Sequence, residues 1–491
     1  MKIVLALFAG SLTWAATIAP SGPGIADAVQ NRDTATLRTL VKQHADVNAA
    51  QPDGTTALHW AAHWNDADAV NLLLSAGANA KAANRYGATP LSEAASLGNA
   101  TVIEALLKAG ADPNTRNTAD GETVLMTTAR SGNTDAVKIL LAHGADVNAR
   151  ESYRGQTALM WAAGERHSDV VGMLLKAGAN WRVQEVSRET KLPKLSAASS
   201  ISPFARGGLT AFLFTAREGD IETAKVMLDN GVDINQTDVD NTDALVVSEM
   251  NKKYTFAKFL LDRGADPNIA DAKGRTALYA AIDARDEDWS ALPQRKLDDP
   301  YPSLELIKAL IAHGAKVNAA LTKPLPGRSG MDGGDTSLDD GATPLMRAAR
   351  SADSETIKVL LEAGADTELK TKEGNTALLF AAGVGYRDKQ TKGTEAEALA
   401  ALQIFVDRGG DGADINQKNT RGETALHGAA GRGADTIVKY LVEHGAKLDA
   451  KTSRNFTPLD IALGKDQFGL PVPHDSTVAL IRSLGGVEST R

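Results

Sequence analysis

Apolar and polar positions along this chain follow a pattern that restarts about every 33 residues. Asp53-Gly-Thr-Thr-Ala-Leu-His-Trp-Ala-Ala62 recurs as Tyr86-Gly-Ala-Thr-Pro-Leu-Ser-Glu-Ala-Ala95, as Asp120-Gly-Glu-Thr-Val-Leu-Met-Thr-Thr-Ala129 and as Arg154-Gly-Gln-Thr-Ala-Leu-Met-Trp-Ala-Ala163. Later cycles open at Gly208, Gly274, Gly341, Gly374 and Gly422, with Asn241 and Asn455 in the same slot, since Asn also tolerates φ > 0. The steps from glycine 54 to 87, 121 and 155 are 33, 34 and 34 residues. Within a cycle, Thr-Ala/Pro-Leu predicts the start of a first helix, with Thr as its cap and Pro tolerated in the first turn at Pro90 and Pro344. The paired alanines are small enough for neighbouring helices to approach closely. A second helix follows, where Val137, Leu140 and Leu141 at i, i+3, i+4 spacing predict a buried stripe. Gly144 ends it, because a left-handed C-terminal position costs glycine no steric penalty, and Asp146 and Asn148 begin the turn to the next cycle.

No single cycle can bury its apolar stripe alone, so the copies must stack on their neighbours. A period near 33 residues carrying Thr-Pro/Ala-Leu-His-x-Ala-Ala and Leu-Leu-x-x-Gly-Ala-Asp-x-Asn resembles the ankyrin repeat, over residues 25 to about 486. The resemblance implies an all-α repeat solenoid in which each helix-turn-helix carries a β-hairpin finger. About twelve units are expected: ten complete copies, a half copy from Ile25 to Ala50, and a last copy with an insertion, Asn455 to Gly486. Such a stack would extend on the order of 100 Å at ~8–10 Å between helices.

Subtracting the period locates insertions. About twenty extra residues lie around Glu185 to Arg206, and about seventeen in Leu321 to Asp339, both where the family places its fingers. The first of these is expected to link an N-terminal half, 25–184, to a C-terminal half, 207–486. Three shorter insertions, near Asp286 to Ser303, Tyr386 to Thr394 and Lys465 to His474, fall between the two helices of a copy.

Composition narrows the function. The 491 residues include 43% hydrophobic and 23% charged positions, as in folded globular chains. Lys+Arg 53 against Asp+Glu 61 gives a net charge of -8, without the basic excess that nucleic-acid binding needs. The absence of cysteine excludes disulfides, thiolate zinc sites, iron–sulfur clusters and a thiol nucleophile. Lys2, the apolar run Ile3 to Trp14 and the small residues Ala15, Ala16, Thr17 and Ala19 read as a signal peptide over 1–19, placing the chain in the periplasm or outside the cell. The alternative is an apolar cap on the fold of a cytoplasmic protein. No other stretch approaches the ~20 apolar residues of a membrane span, and the chain is expected to be monomeric.

Binding residues of the resembled family come from finger tips and variable slots on the first helix. The slot after the His-equivalent position holds Trp60, Trp161, Phe214 and Phe380, four aromatics among eleven copies in a chain with 5% aromatics, and also Glu93 and Arg347. His63 and Trp64 lie just beyond the Ala-Ala pair of their copy, and Tyr86 and Tyr153 sit at finger tips. These ten residues are the candidate contacts for a partner protein, since aromatics supply large area at low entropic cost. His59 and His427 occupy the family's structural His slot, and His44, His143, His313 and His444 fall at the turn after the second helix. The remaining histidines are too scattered for metal-ligand spacing. Asp332, Asp335, Asp339 and Asp340, and the segment Gly409 to Asp414, lack calcium-loop spacing. GxSxG, HExxH and a P-loop are all absent. The expected function is a non-catalytic protein-interaction scaffold with no cofactor. Two alternatives stand beside it: a stabilising accessory of an envelope assembly, and a divergent hydrolase with its site in an insertion.

Overall fold

The computed structural model describes residues 24–117, 120–186, 188–189, 205–286, 299–325, 338–386, 392–409, 414–465 and 473–489. Residues 1–19, and most of the expected linker 185–206 and of the 321–340 insertion, lie outside the described residues. Within the described residues the chain forms twelve helix pairs. They belong to two compact units, residues 1–146 and 147–491. The first unit holds α1 (Ile25–Gln30) with α2 (Thr34–Lys42), α3 (Ala57–His63) with α4 (Ala67–Ser75), α5 (Pro90–Leu97) with α6 (Ala100–Lys108), and α7 (Val124–Ser131) with α8 (Thr134–Ala142). The second holds α9 (Ala158–Gly164) with α10 (Ser168–Lys176), α11 (Ala211–Glu218) with α12 (Ile221–Asp229), α13 (Ala244–Met250) with α14 (Tyr254–Asp262), and α15 (Ala277–Arg285) with α16 (Ser303–Ala312). It continues with α17 (Pro344–Arg350) and α18 (Ser354–Glu362), α19 (Ala377–Ala382) and α20 (Glu395–Gly409), α21 (Ala425–Arg432) and α22 (Asp435–Glu443), and α23 (Pro458–Ala462) and α24 (Asp475–Ser483). In each unit, first helices pack on first helices in chain order. This is the all-α repeat stack that the sequence pattern implies.

Threonine opens the first helix as the sequence suggests: the side chains of Thr89, Thr123, Thr157, Thr210, Thr343 and Thr376 accept the amide of the third helical residue. Asp66, Asn99, Asn133, Asp220 and Asp353 cap second helices in the same way. Such a cap contributes about 1 kcal/mol by satisfying an amide that the helix leaves unbonded. At the other end Gly144 adopts φ 84°. Its amide donates to Leu141 O at 3.1 Å and that of Ala145 to Leu140 O at 3.0 Å, which closes the last turn on itself. Ala61, Ala62, Ala94, Ala95, Ala162 and Ala163 are 1% exposed or less, so the close approach of the first helices is real. The stripe of α8 needs correction. Its buried members are Ala136, Val137 and Leu140, and Leu141 is half-buried. The buried arc centres on Leu140, and Leu141, about 100° further round the helix, lies at its margin.

Fingers are narrower than the β-hairpins expected. Three close on single bridges, Ala50 with Thr56, Arg116 with Thr123 and Thr237 with Asp243. Among the described residues one two-stranded ladder occurs, β1 (Arg188–Glu189) antiparallel to β2 (Ala205–Arg206), with Arg188 opposite Arg206. It stands at the base of the first insertion, which therefore grows out of a lengthened finger. Neighbouring fingers bond tip to tip: Arg85 N to Asp53 O at 2.7 Å, Ala272 N to Asp240 O at 2.8 Å, Ser453 N to Arg421 O at 2.8 Å. Gly274, at φ 80°, shows why the slot is glycine, for a Cβ there would stand 2.8 Å from Ala320 O.

Two polar side chains join copy to copy. Asn48 accepts the amide of Asn79 at 2.7 Å and donates to Gly77 O at 3.2 Å. Asn114 does the same to Asp146 N and Gly144 O, and Asn268 to Lys316 N and Gly314 O. The His-slot residue makes the second join. Thr56 N donates to His59 Nδ1 at 3.2 Å, which leaves Nε2 as the donor to Ala88 O at 3.0 Å on the next finger. His427 repeats this with Thr424 and Phe456 O. Burial pushes the pKa of both rings below the ordinary 6.5, with the carbonyl bond opposing it.

Truncating His59 or His427 to alanine is expected to cost about 1–3 kcal/mol in urea unfolding, because each removes a shared partner from buried groups. The pH sign follows from the depressed pKa. As pH falls through 6.5 the unfolded chain protonates first, so their contribution is full above 6.5 and is lost as pH falls through the folded value. A His59→Gln, His427→Gln double variant should lose less stability than wild type between pH 7 and 5; equal losses would refute the assignment.

Candidate functional site

Trp60, His63 and Trp64 stand at i, i+3 and i+4 at the end of α3 and so share one helix face. The two indoles lie with ring centroids 6.2 Å apart and planes 21° from parallel. The His63 ring meets both edge-on, 5.7 Å from Trp60 and 4.8 Å from Trp64. Each ring is held by polar contacts. Trp60 Nε1 donates to Gln51 Oε1 at 2.9 Å, and Gln51 Nε2 in turn donates to Asp27 Oδ1 at 2.8 Å and Gln30 Oε1 at 2.7 Å. Trp64 Nε1 donates to Gln30 O at 3.2 Å, and the Arg32 guanidinium lies 4.2 Å from its ring centroid. On the other side His63 Nδ1 donates to Glu93 Oε2 of α5 at 2.9 Å, with side chains 46% and 28% exposed. Three consecutive first helices thus contribute to one patch of aromatic, cationic and acidic groups. Trp60 and Trp64 are half-buried: their rotamers are fixed while one side remains open to solvent.

Beside the patch lies an open groove of about 290 Å³, lined by Val29, Leu37, Ala69, Trp64, Arg32 and the carboxylates of Asp33 and Asp66. Its apolar lining comes from α1, α2 and α4, and its charges from the turns between paired helices. Tyr86, at its finger tip, is 65% exposed, with Arg85 5.6 Å from the ring centroid. Leu97 at the end of α5 is 56% exposed.

The second unit carries Tyr153 and Trp161. Tyr153 is 58% exposed at its finger tip, and its amide donates to Glu151 Oε2 at 2.5 Å. Half-buried Trp161 donates Nε1 to Gln156 Oε1 at 3.0 Å, again a glutamine but from a different position of the finger than Gln51. The structure removes three sequence candidates from the surface. Phe214 is 5% exposed, Phe380 2% and Arg347 2%. Phe214 is covered where α11 packs on α9, its ring lying against Gly164, and Arg217 closes over it at 4.6 Å. Phe380 lies on α19, all six residues of which are buried. Arg347 donates to Asp283 Oδ1 at 2.7 Å, to Asp286 O at 2.5 Å and to Ser351 Oγ, so it ties α17 to α15. These side chains hold the stack and offer nothing to a partner.

Arg32, Gln51 and Gln156 lie outside the sequence reading. Arg32 occupies the left-handed turn between paired helices, φ 57°, a slot filled by Gly98, Gly132, Gly219 and Gly433 in some copies and by Asn65, Arg166, Lys252 and Ala352 in others. Since Arg166 and Lys252 share the slot, its occupancy by a long cation does not by itself single out Arg32. Among the described residues no group of three or more His, Asp and Glu is placed to hold a metal, and no helix is long and apolar enough to cross a membrane.

Arg32→Gly should keep or slightly raise the melting temperature, since it relieves a left-handed non-glycine backbone. Arg347→Ala, in contrast, should cost about 3–5 kcal/mol by leaving half-buried Asp283 and the carbonyl of buried Asp286 without their cation. Thermal unfolding of the two variants side by side checks both, and equal melting temperatures would show that the two arginines are not so divided.

Comparison with known proteins fits this geometry. A family model described as ankyrin repeats (3 copies) matches residues 25–117, 114–185, 212–320 and 300–389, and one described as ankyrin repeats (many copies) matches 408–462. The chain is 29% identical over 237 residues to human SH3 and multiple ankyrin repeat domains protein 2, covering 43% of this chain and 11% of that protein. It is 29% identical over 254 residues to human Rabankyrin-5, 48% of this chain and 19% of the relative. With the mouse B-cell lymphoma 3 protein homolog the identity is 29% over 206 residues, 42% of this chain and 36% of the relative. The matched segments therefore span about a tenth to a third of these relatives' lengths. Ankyrin repeats are in general protein-interaction scaffolds and typically not enzymes. Repeat spacing, helix pairing, finger contacts and family models agree, and the chain belongs to the ankyrin-repeat family.

Proposed function

We propose that the chain is a non-catalytic scaffold that binds a partner protein on the face formed by its first helices and fingers, with Trp60 and Trp64 as central anchors. The observation that carries this reading is their tethering. Gln51, Gln30 and Arg32 fix both indoles while leaving each partly exposed. A partner closing over them gains apolar area without the usual cost of ordering two large side chains. Tryptophan and arginine are also the residue types in which binding energy concentrates. His63, Glu93 and Tyr86 supply polar and aromatic groups around the anchors, and Tyr153 with Trp161 forms a second contact of the same design in its own unit. The proposal keeps the export read from residues 1–19, so the partner is sought in the periplasmic or secreted fraction.

The test compares wild type with a Trp60→Ala, Trp64→Ala variant, first confirmed equally folded, in affinity capture followed by titration of the captured protein. Loss of two anchors should weaken binding on the order of a hundredfold or more. Equal affinity of the two chains would refute these residues as anchors, and an undiminished partner in a Trp161→Ala variant would remove the second contact.

A further inference from the structure

One slot near the end of the first helix is apolar in the copies from α3 onward, alanine in most and Ile282 and Leu463 in α15 and α23, with a single exception. Ala62, Ala95, Ala129, Ala163, Ala216, Ala349, Ala382 and Ala430 are its alanines, each 1% exposed or less. On α13 the slot holds Glu249, which is 0% exposed, and neither of its carboxyl oxygens has a hydrogen-bond partner among the described residues. An ionised carboxylate in such a place has lost its water and gained nothing in exchange.

The surroundings make this worse rather than better. α13 packs against α11, α14 and α15. On its own helix, Asp243 caps the N-terminus by accepting Val246 N at 2.9 Å, and burial pushes its pKa up to about 7. Arg275 of the following finger is the opposing charge, but it is committed to Asp271 at 2.9 Å. The charged groups of the neighbouring helices are likewise paired elsewhere. On α11 Arg217 binds Glu218 at 2.8 Å, and on α14 Lys258 binds Asp262 at 2.5 Å. On α15 Asp283 binds Arg347 at 2.7 Å and Arg285 binds Asp353 at 2.6 Å. Lys253, at the turn, lies against Gly219, and the buried phenols Tyr254 and Tyr279 complete the titratable neighbours. Burial first, and Asp243 second, hold the Glu249 carboxyl well above its ordinary 4.5.

We propose that Glu249 is a proton lock: while its carboxyl is neutral the copy built from α13 and α14 stays packed between its neighbours, and loss of the proton opens that copy locally. The sign is fixed by linkage. The folded chain holds this proton more tightly than the unfolded one, so the stabilisation is complete below 4.5 and is lost as pH rises through the folded value. Stability in a repeat stack resides in nearest-neighbour interfaces, so opening one copy releases the joins on both of its sides. Those joins include Asp266 N to Asn235 Oδ1 at 2.9 Å, Asn241 Nδ2 to Ala270 O at 2.6 Å and Ala272 N to Asp240 O at 2.8 Å.

Amide hydrogen exchange of the full chain, read by mass spectrometry from pH 5 to 9 and corrected for the intrinsic rate, tests the lock. Peptides from α13 and α14 should show an opening constant that rises by about tenfold per pH unit, the slope of one proton, up to the folded pKa and then levels, while peptides from α7 and α8, whose charged side chains Arg130, Asp135 and Lys138 are all exposed, stay flat. In an Asp243→Thr background, which restores the usual capping threonine and removes the other raised carboxyl of the helix, Glu249→Ala, which restores the alanine of the slot, and Glu249→Gln, which keeps the shape, should both remove the slope that remains. A flat wild-type profile would overturn the proposal. So would a slope that survives Glu249→Ala in the Asp243→Thr background, or one that Asp243→Thr alone abolishes.

Discussion

The structure depends on a polar join between similar copies that have no other reason to stay in register. Apolar stripes and alanine pairs drive the helices together, but they are nearly alike in every copy and would tolerate sliding. The Asn48 side chain, bonded at once to the backbone amide of Asn79 and the carbonyl of Gly77, accepts only one alignment. The His59 ring adds a second fixed point in the first turn of α3, reaching Ala88 O of the next copy. The asparagine join is exposed and works through the geometry of its paired bonds. The histidine join is buried, where an unmade hydrogen bond is costly, so a shifted register is penalised more heavily than the native one is stabilised.

On that fixed frame, side chains facing outward from the first helices are free to vary, and their chemistry decides what the surface does. In the first unit the frame carries two indoles, a guanidinium and a His–Glu pair. In the second it carries mostly buried residues in the same slots. The difference comes from what lies opposite. Arg217 closes over Phe214 where α11 packs on α9, whereas Gln51 stands beside Trp60 and holds it at the surface.

The repeat itself was legible because its signals are periodic and local: the glycine of each finger, the capping threonine, the alanine pair and the terminal Gly-Ala. The Trp60, His63 and Trp64 cluster was legible too, since i, i+3 and i+4 spacing on a known helix leaves little freedom. Burial at Phe214, Arg347 and Phe380 was not. A slot number says which way a side chain leaves its own helix, but not whether the next helix presents glycine, aspartate or a phenyl ring to meet it. Arg347 reads as a surface cation because its anchors, Asp283 and the carbonyl of Asp286, are more than sixty residues away. Arg32 escapes notice for the opposite reason: its place in a left-handed turn reads as a backbone matter until its guanidinium is seen over Trp64.

The asparagine joins carry a consequence for how the chain is made. Within regular copies they connect residues only 29 to 32 positions apart. Where an insertion intervenes the span grows to 46 to 48, as from Asn268 to Gly314 and Lys316. Loop-closure cost rises by only about 0.6 kcal/mol for each doubling of length, so the longer spans close almost as readily. A ribosome extending the chain therefore completes each join soon after the copy beyond it emerges. The molecule can be assembled from its first copy onward, with no step that waits for the two ends of the polypeptide to meet.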